Sequence, residues 1–112
     1  MSGNNGNSIK HLDDTTFAKT VASGVTLVDF WAPWCGPCRA QGAILEDVAA
    51  KVGSTATVAK VNVDEAPQVA AGFNIRSIPT LVVLKDGERV EELVGVQQAA
   101  TLIRALQAAG AS

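Results

Sequence analysis

The segment Thr26 to Ala32 is apolar almost throughout, and only Asp29 interrupts it. Such continuity predicts a strand covered on both faces in the middle of a sheet. From Cys35 the apolar period changes. Cys38, Gly42, Leu45, Val48/Ala49 and Val52 recur at spacings of three and four, which predicts a helix burying one stripe and stopping near Gly53. Thr57 to Val63 alternates in short β-branched residues and reads as a second central strand, with Lys60 in its middle. Asp64 to Phe73 reads as a short helix: Pro67 stands early, where a missing N–H is tolerated, and Val69, Ala70 and Phe73 face inward.

Upstream, Ser8 to Leu12 predicts a first strand, and Asp13 or Asp14 can cap a helix from Thr15 to Ala22 that buries Phe17 and Val21. Ser23-Gly24 ends that helix. Downstream, Ile78-Pro79-Thr80 leads into a strand over Leu81 to Lys85, and Asp86-Gly87 is a hairpin signal joining it to Glu88 through Val94. After Gly95 a last helix offers Leu102, Ile103 and Leu106 and ends by Gly110, although Gln97 and Gln98 are poor caps for its start. The order β-α-β-α-β-α-β-β-α is that of an α/β domain: a mixed sheet of about five strands flanked by four helices on both faces.

With 112 residues, 47% of them hydrophobic, the chain suffices for one core and not two. The domain is expected to span residues 8–112, behind a polar, flexible extension over residues 1–7. A formal charge of −2 gives no basic stripe, so neither nucleic acid nor an anionic membrane surface is an expected partner. No stretch has the length and apolarity of a bilayer span, and the polar start lacks the pattern of a secretory signal, so the expected compartment is the cytoplasm. That compartment is reducing, which favours a catalytic over a structural role for the two cysteines.

Those cysteines, Cys35 and Cys38, stand where a helix is expected to begin. A sulfur at a helix N-terminus meets unpaired N–H groups and the positive end of the dipole, which stabilise a thiolate. Cys35 is therefore the candidate nucleophile, and Cys38, one turn on, can attack a mixed disulfide formed on it. Tetrahedral zinc needs four ligands, whereas the chain adds only His11 to the two thiols; no metal is expected. Covalent haem attachment would place His after the second cysteine, and Arg39 stands there. Asp29, within its apolar strand, is expected to have a pKa raised by desolvation.

The chain from about Ile9 to the last helix resembles the thioredoxin family. The residues that carry the likeness are Val28-Asp29-Phe30-Trp31-Ala32-Pro33-Trp34-Cys35-Gly36-Pro37-Cys38, Thr57-Val58-Ala59-Lys60-Val61-Asn62-Val63-Asp64, Ile75-Arg76-Ser77-Ile78-Pro79-Thr80, and Lys85-Asp86-Gly87-Glu88 followed by Gly95. The resemblance implies a thioredoxin fold and a dithiol that reduces protein disulfides, with Cys35 attacking and Cys38 resolving. It implies that Gly36 and Pro37 tune reducing power, that Asp29 accepts the proton of the resolving cysteine, and that Lys60 is the matching cation. For Lys60 a plain surface lysine fits equally well. It further implies a cis bond before Pro79, whereas sequence alone favours trans. Trp34, Ile78, Pro79, Gly95 and Val96 are the expected rim for protein substrates. The implied electron donor is an NADPH-dependent thioredoxin reductase, the chain acts as a monomer, and no cofactor is needed within it.

Two rival readings stay open at this level: a disulfide oxidase or isomerase on the same fold, and a thioredoxin-like binding subunit whose cysteines are idle. Three positions depart from the family's pattern. Ala43 replaces a usual proline and predicts a straighter helix. Gln41 and Gly42 replace bulkier or more apolar residues and bear on the shape of the rim.

Overall fold

In chain order the elements are β1 (Ile9–Leu12), α1 (Phe17–Val21), β2 (Val25–Trp31), α2 (Gly36–Val52), β3 (Thr57–Asn62), α3 (Pro67–Gly72), β4 (Thr80–Lys85), β5 (Glu88–Val94) and α4 (Ala99–Ala108). They are taken from a computed structural model that describes residues 9–111. The expected extension over residues 1–7, and Ser8 of the first strand, lie outside the described residues.

The apolar run does become the central strand. The sheet order is β1-β3-β2-β4-β5, with β3 parallel to β1 and β2, and β4 antiparallel to β2 and β5. Strand side chains alternate between faces, so β2 divides its residues between two cores. Val25 and Leu27 pack with Leu45, Val48, Leu102 and Leu106 on the face covered by α2 and α4. Val28 and Phe30 pack with Phe17 and Val21 of α1 on the other face, where Phe73 lies 5.7 Å from the Phe30 ring. Asp29 shares the parity of Leu27 and so lies on the face that α2 covers.

The hairpin joining β4 and β5 turns at Asp86 (φ 51°) and Gly87 (φ 86°). Two successive positive φ angles match the right-handed twist of the flanking strands, which is why Asp-Gly was the signal. The turn is also fastened to Gly24: Asp86 Oδ1 accepts from the Gly24 N–H at 2.7 Å, and the Asp86 N–H donates to the Gly24 carbonyl at 2.9 Å.

Three expectations need adjustment. The first helix covers only Phe17–Val21, because Asp13 closes a turn ahead of it by accepting from the backbone N–H groups of Thr15 and Thr16 at 2.9 and 3.0 Å. The third helix begins at Pro67 rather than Asp64. Residues 62–66 instead form a turn in which the N–H groups of Glu65 and Ala66 donate to the Asn62 carbonyl. Its N-cap, Ala66, has no side-chain oxygen, and Asp14 supplies the cap from elsewhere in the chain, accepting from Val69 N–H at 3.0 Å and Gln68 N–H at 3.4 Å. On α2 the buried stripe includes Gln41, fully buried, whereas Gly42 is only half-buried. The helix is continuous through Ala43, whose N–H remains available to it.

Candidate redox site

The site forms where β2 hands over to α2. Cys35 is the N-cap of α2, in extended conformation (φ −94°, ψ 110°), and its Sγ accepts from the Cys38 N–H at 3.2 Å. A helix must leave its first N–H groups without intrahelical partners, and here one of them is aimed at sulfur. Pro37, in the first turn, has no N–H to add a second. The two sulfurs are joined as a disulfide across a Cα–Cα distance of 5.3 Å.

Access is tighter than an outward-facing sulfur would suggest. Cys35 is only 6% exposed and Cys38 3%. The Ile78–Pro79 peptide is cis, and the Ile78 carbonyl lies 3.8 Å from Cys35 Sγ. A disulfide sulfur carries no proton, so that approach is a packing contact rather than a hydrogen bond. Pro79 is buried, and its carbonyl accepts from the Gly95 N–H at 2.8 Å, which sets Gly95 (φ 87°) beside it.

The structure places the other residues expected at the rim as follows. Trp34 is 69% exposed, with its indole Nε1 donating to Asp64 Oδ2 at 2.9 Å. Trp34 and Ile78 wall one cavity of about 380 Å³ together with Ile75, Arg76 and Ser77. Val96 is 38% exposed. His11 pairs with Lys60 in the β1–β3 register, and no cluster of metal-ligating side chains occurs among the described residues.

Asp29 is fully buried, and neither carboxyl oxygen has a hydrogen-bond partner among the described residues. Burial pushes its pKa from 3.8 up to about 7, with the nearby Lys60 charge working in the opposite direction. Lys60 is the register partner of Asp29 across β2 and β3. Its ammonium, however, lies 4.5 Å from the centroid of the Trp31 ring, and no ion pair with Asp29 forms within 4.0 Å. A second cavity of about 380 Å³ runs past this cation, walled by Trp31, Pro33, Cys38, Arg39, Gly42 and Lys60. A Cβ on Gly42 would come into ordinary van der Waals contact with Lys60 Nζ, at 3.4 Å.

One residue of the site was not read as such from sequence. In sequence Gln41 stands out only as a departure at the rim, yet its amide is buried and makes two hydrogen bonds to the backbone of Gln97. The signal was a polar residue three positions after Cys38, within reach of the helix's apolar stripe.

An α/β domain with a parallel-antiparallel sheet, a disulfide at the N-terminus of the helix after its central strand and a cis proline facing that disulfide defines a dithiol redox protein. The thioredoxin family model matches residues 8–108. The chain is 44% identical over 100 residues to the thioredoxin of Staphylococcus saprophyticus, covering 89% of this chain and 96% of that one. It is 46% identical over 99 residues to the thioredoxin of Staphylococcus haemolyticus, covering 88% and 95%. A solved point-mutant thioredoxin from Halobacterium salinarum superposes with a TM-score of 0.84 at 35% identity, over 92% of this chain and 91% of that one. The chain belongs to the thioredoxin family, and it is a thiol-disulfide oxidoreductase that acts on protein disulfides.

Proposed function

We propose that Cys35 is the attacking thiolate, Cys38 the resolving thiol and Asp29 the group that takes the proton of Cys38. Cys35 Sγ attacks one sulfur of the substrate disulfide. That S–S bond breaks, and the departing sulfur leaves with the electron pair and takes up a proton. Cys38 gives its proton to Asp29 and attacks Cys35 Sγ, the second substrate sulfur departs, and the Cys35–Cys38 disulfide closes. Two electrons pass to the substrate, whose first sulfur takes its proton from solvent and whose second takes the Cys38 proton relayed by Asp29. A carboxylate with a pKa of about 7 is matched to proton transfer at neutral pH.

Lys60, across the sheet from Asp29, favours the ionised carboxylate once the proton has to leave. Pro37, lacking an N–H, withholds one donor from Cys35, which holds back thiolate stabilisation and favours a reductant, and Gly36 completes the intervening pair that tunes this power. Trp34, Ile78, Pro79, Gly95 and Val96 form the surface on which protein substrates dock, the backbone of Ile78 pairing with an extended peptide in β fashion. The oxidised dithiol is restored by an NADPH-dependent thioredoxin reductase, so the chain serves electron transport in the cytoplasm as a monomer. No helix among the described residues is long and apolar enough to cross a membrane.

The observation that carries these assignments is the Cys38 N–H directed at Cys35 Sγ from the first turn of α2. Their test is reduction of a protein disulfide by the purified chain with a dithiol donor. Cys35→Ser is expected to abolish turnover without forming any substrate adduct, and Cys38→Ser to accumulate a covalent mixed disulfide. An adduct formed through Cys38 in the Cys35→Ser protein would reverse the roles.

A further inference from the structure

Resting on the docking surface just described, we propose that Gln41 is a positioning residue that fixes the loop Gly95–Gln97 against α2 and thereby sets the affinity for protein disulfides. The side chain is fully buried. Its Oε1 accepts from the Gln97 N–H at 2.7 Å and its Nε2 donates to the Gln97 carbonyl at 3.1 Å. The donor and acceptor on Gln97 fix which end of the amide is which. Both backbone groups of one loop residue are therefore satisfied by one side chain, as a neighbouring strand would satisfy them.

The connection continues to the disulfide. Gln97 Nε2 donates to the carbonyls of Val94 and Gly95 at 3.1 and 3.3 Å, and the Gly95 N–H donates to the Pro79 carbonyl at 2.8 Å. A series of hydrogen bonds thus runs from the helix that bears Cys38, through the loop, to the cis proline opposite. The loop itself lies between β5 and α4, and the N-cap of α4, Gln98, has no side-chain cap to steady it. Val96, the exposed apolar residue of this loop, sits between the two anchored points. A loop held before binding spares the ordering entropy that docking would otherwise have to overcome. Where the loop is free, only a fraction of molecules presents the rim, and apparent affinity falls by that fraction.

The test uses the full chain carrying Gln41→Leu or Gln41→Glu, assayed on a protein disulfide and on a small soluble aromatic disulfide. Gln41→Leu is expected to raise KM for the protein disulfide about threefold to tenfold, with kcat and the small-disulfide rate within about twofold. Hydrogen exchange at the Gln97 amide is expected to accelerate while amides of β2 and β4 keep their protection. Gln41→Glu carries the test if the leucine variant does not fold. A protonated acid reproduces both bonds, whereas a carboxylate cannot donate to the Gln97 carbonyl, so its KM relative to the parent at the same pH should be near one in acid and rise with pH. A KM unchanged in Gln41→Leu despite faster exchange at Gln97 would overturn the proposal, as would a parallel loss of small-disulfide reduction. Val96→Asp separates this proposal from the rim assignment. If Val96→Asp also leaves KM unchanged, the docking surface is wrong; if it raises KM and Gln41→Leu does not, only the clamp is wrong.

Discussion

Asp29 and Lys60 stand opposite one another in the β2–β3 register, yet the lysine's ammonium rests on the Trp31 ring, 4.5 Å from its centroid, instead of on the carboxylate. Stacked on an aromatic face, a cation still feels the acid's charge but does not form a close pair with it. Burial then dominates the acid's titration.

A stability profile follows from that balance. The folded pKa of Asp29 is raised from 3.8 to about 7, so the native state holds its proton where the unfolded chain has released it. Stability is fully present below about pH 4, declines as pH rises through about 7, and is level above. Asp29→Asn is expected to remove this slope and to stabilise the protein at pH 8 by on the order of 4 kcal/mol. Urea unfolding of both proteins from pH 4 to pH 8 measures it, and parallel curves would refute it. The same substitution should slow release of substrate from the mixed disulfide.

The cap that Asp14 lends to α3 is expected to contribute about 1 kcal/mol. Asp14→Ala should lower the unfolding midpoint accordingly and accelerate hydrogen exchange at Val69, with β2 amides unaffected. Asp14→Asn keeps an acceptor oxygen and should retain most of the effect.

Arg89 joins β5 to the end of α3, donating to the Phe73 carbonyl at 3.1 Å and to Glu92 Oε1 at 2.8 Å while its guanidinium lies 5.4 Å from the Phe73 ring centroid. A lysine cannot serve carbonyl, carboxylate and ring together. Arg89→Lys is therefore expected to lose about 1 kcal/mol in denaturant unfolding, close to the loss in Arg89→Leu.

Asp64 holds the indole of Trp34 by a single hydrogen bond at 2.9 Å on an otherwise exposed ring. In Asp64→Ala the ring should gain mobility, read as lower tryptophan fluorescence anisotropy, with global stability changed by less than about 0.5 kcal/mol. An unaltered anisotropy would show that packing, not this bond, orients the ring.

Much of this arrangement could be read in the residues themselves, because the forces are local. The uninterrupted apolar character of Thr26 to Ala32 places β2 at the centre, Asp86-Gly87 dictates its turn, and Cys35 begins α2 as its own N-cap. The cis bond before Pro79 came only through family likeness, since isomer preference in isolation points the other way. The burial of Gln41 is not legible in sequence because spacings of three and four fit Gln41 and Gly42 alike, and helical periodicity does not tell which one faces the core. Asp14 reads in sequence as a cap for the helix that follows it, not for α3, for a different reason. Its partners on α3 lie more than fifty positions away in sequence, and no local pattern reports a cap donated across the fold.

The strand order has a consequence for how the molecule is made. Of all five strands, β1 leaves the ribosome first, but its sole neighbour in the sheet is β3, which begins at Thr57. Its companion turn likewise finds its second anchor only when Val69 has been synthesised. β1 and Asp14 must therefore wait for their partners until β3 and the start of α3 have emerged behind them.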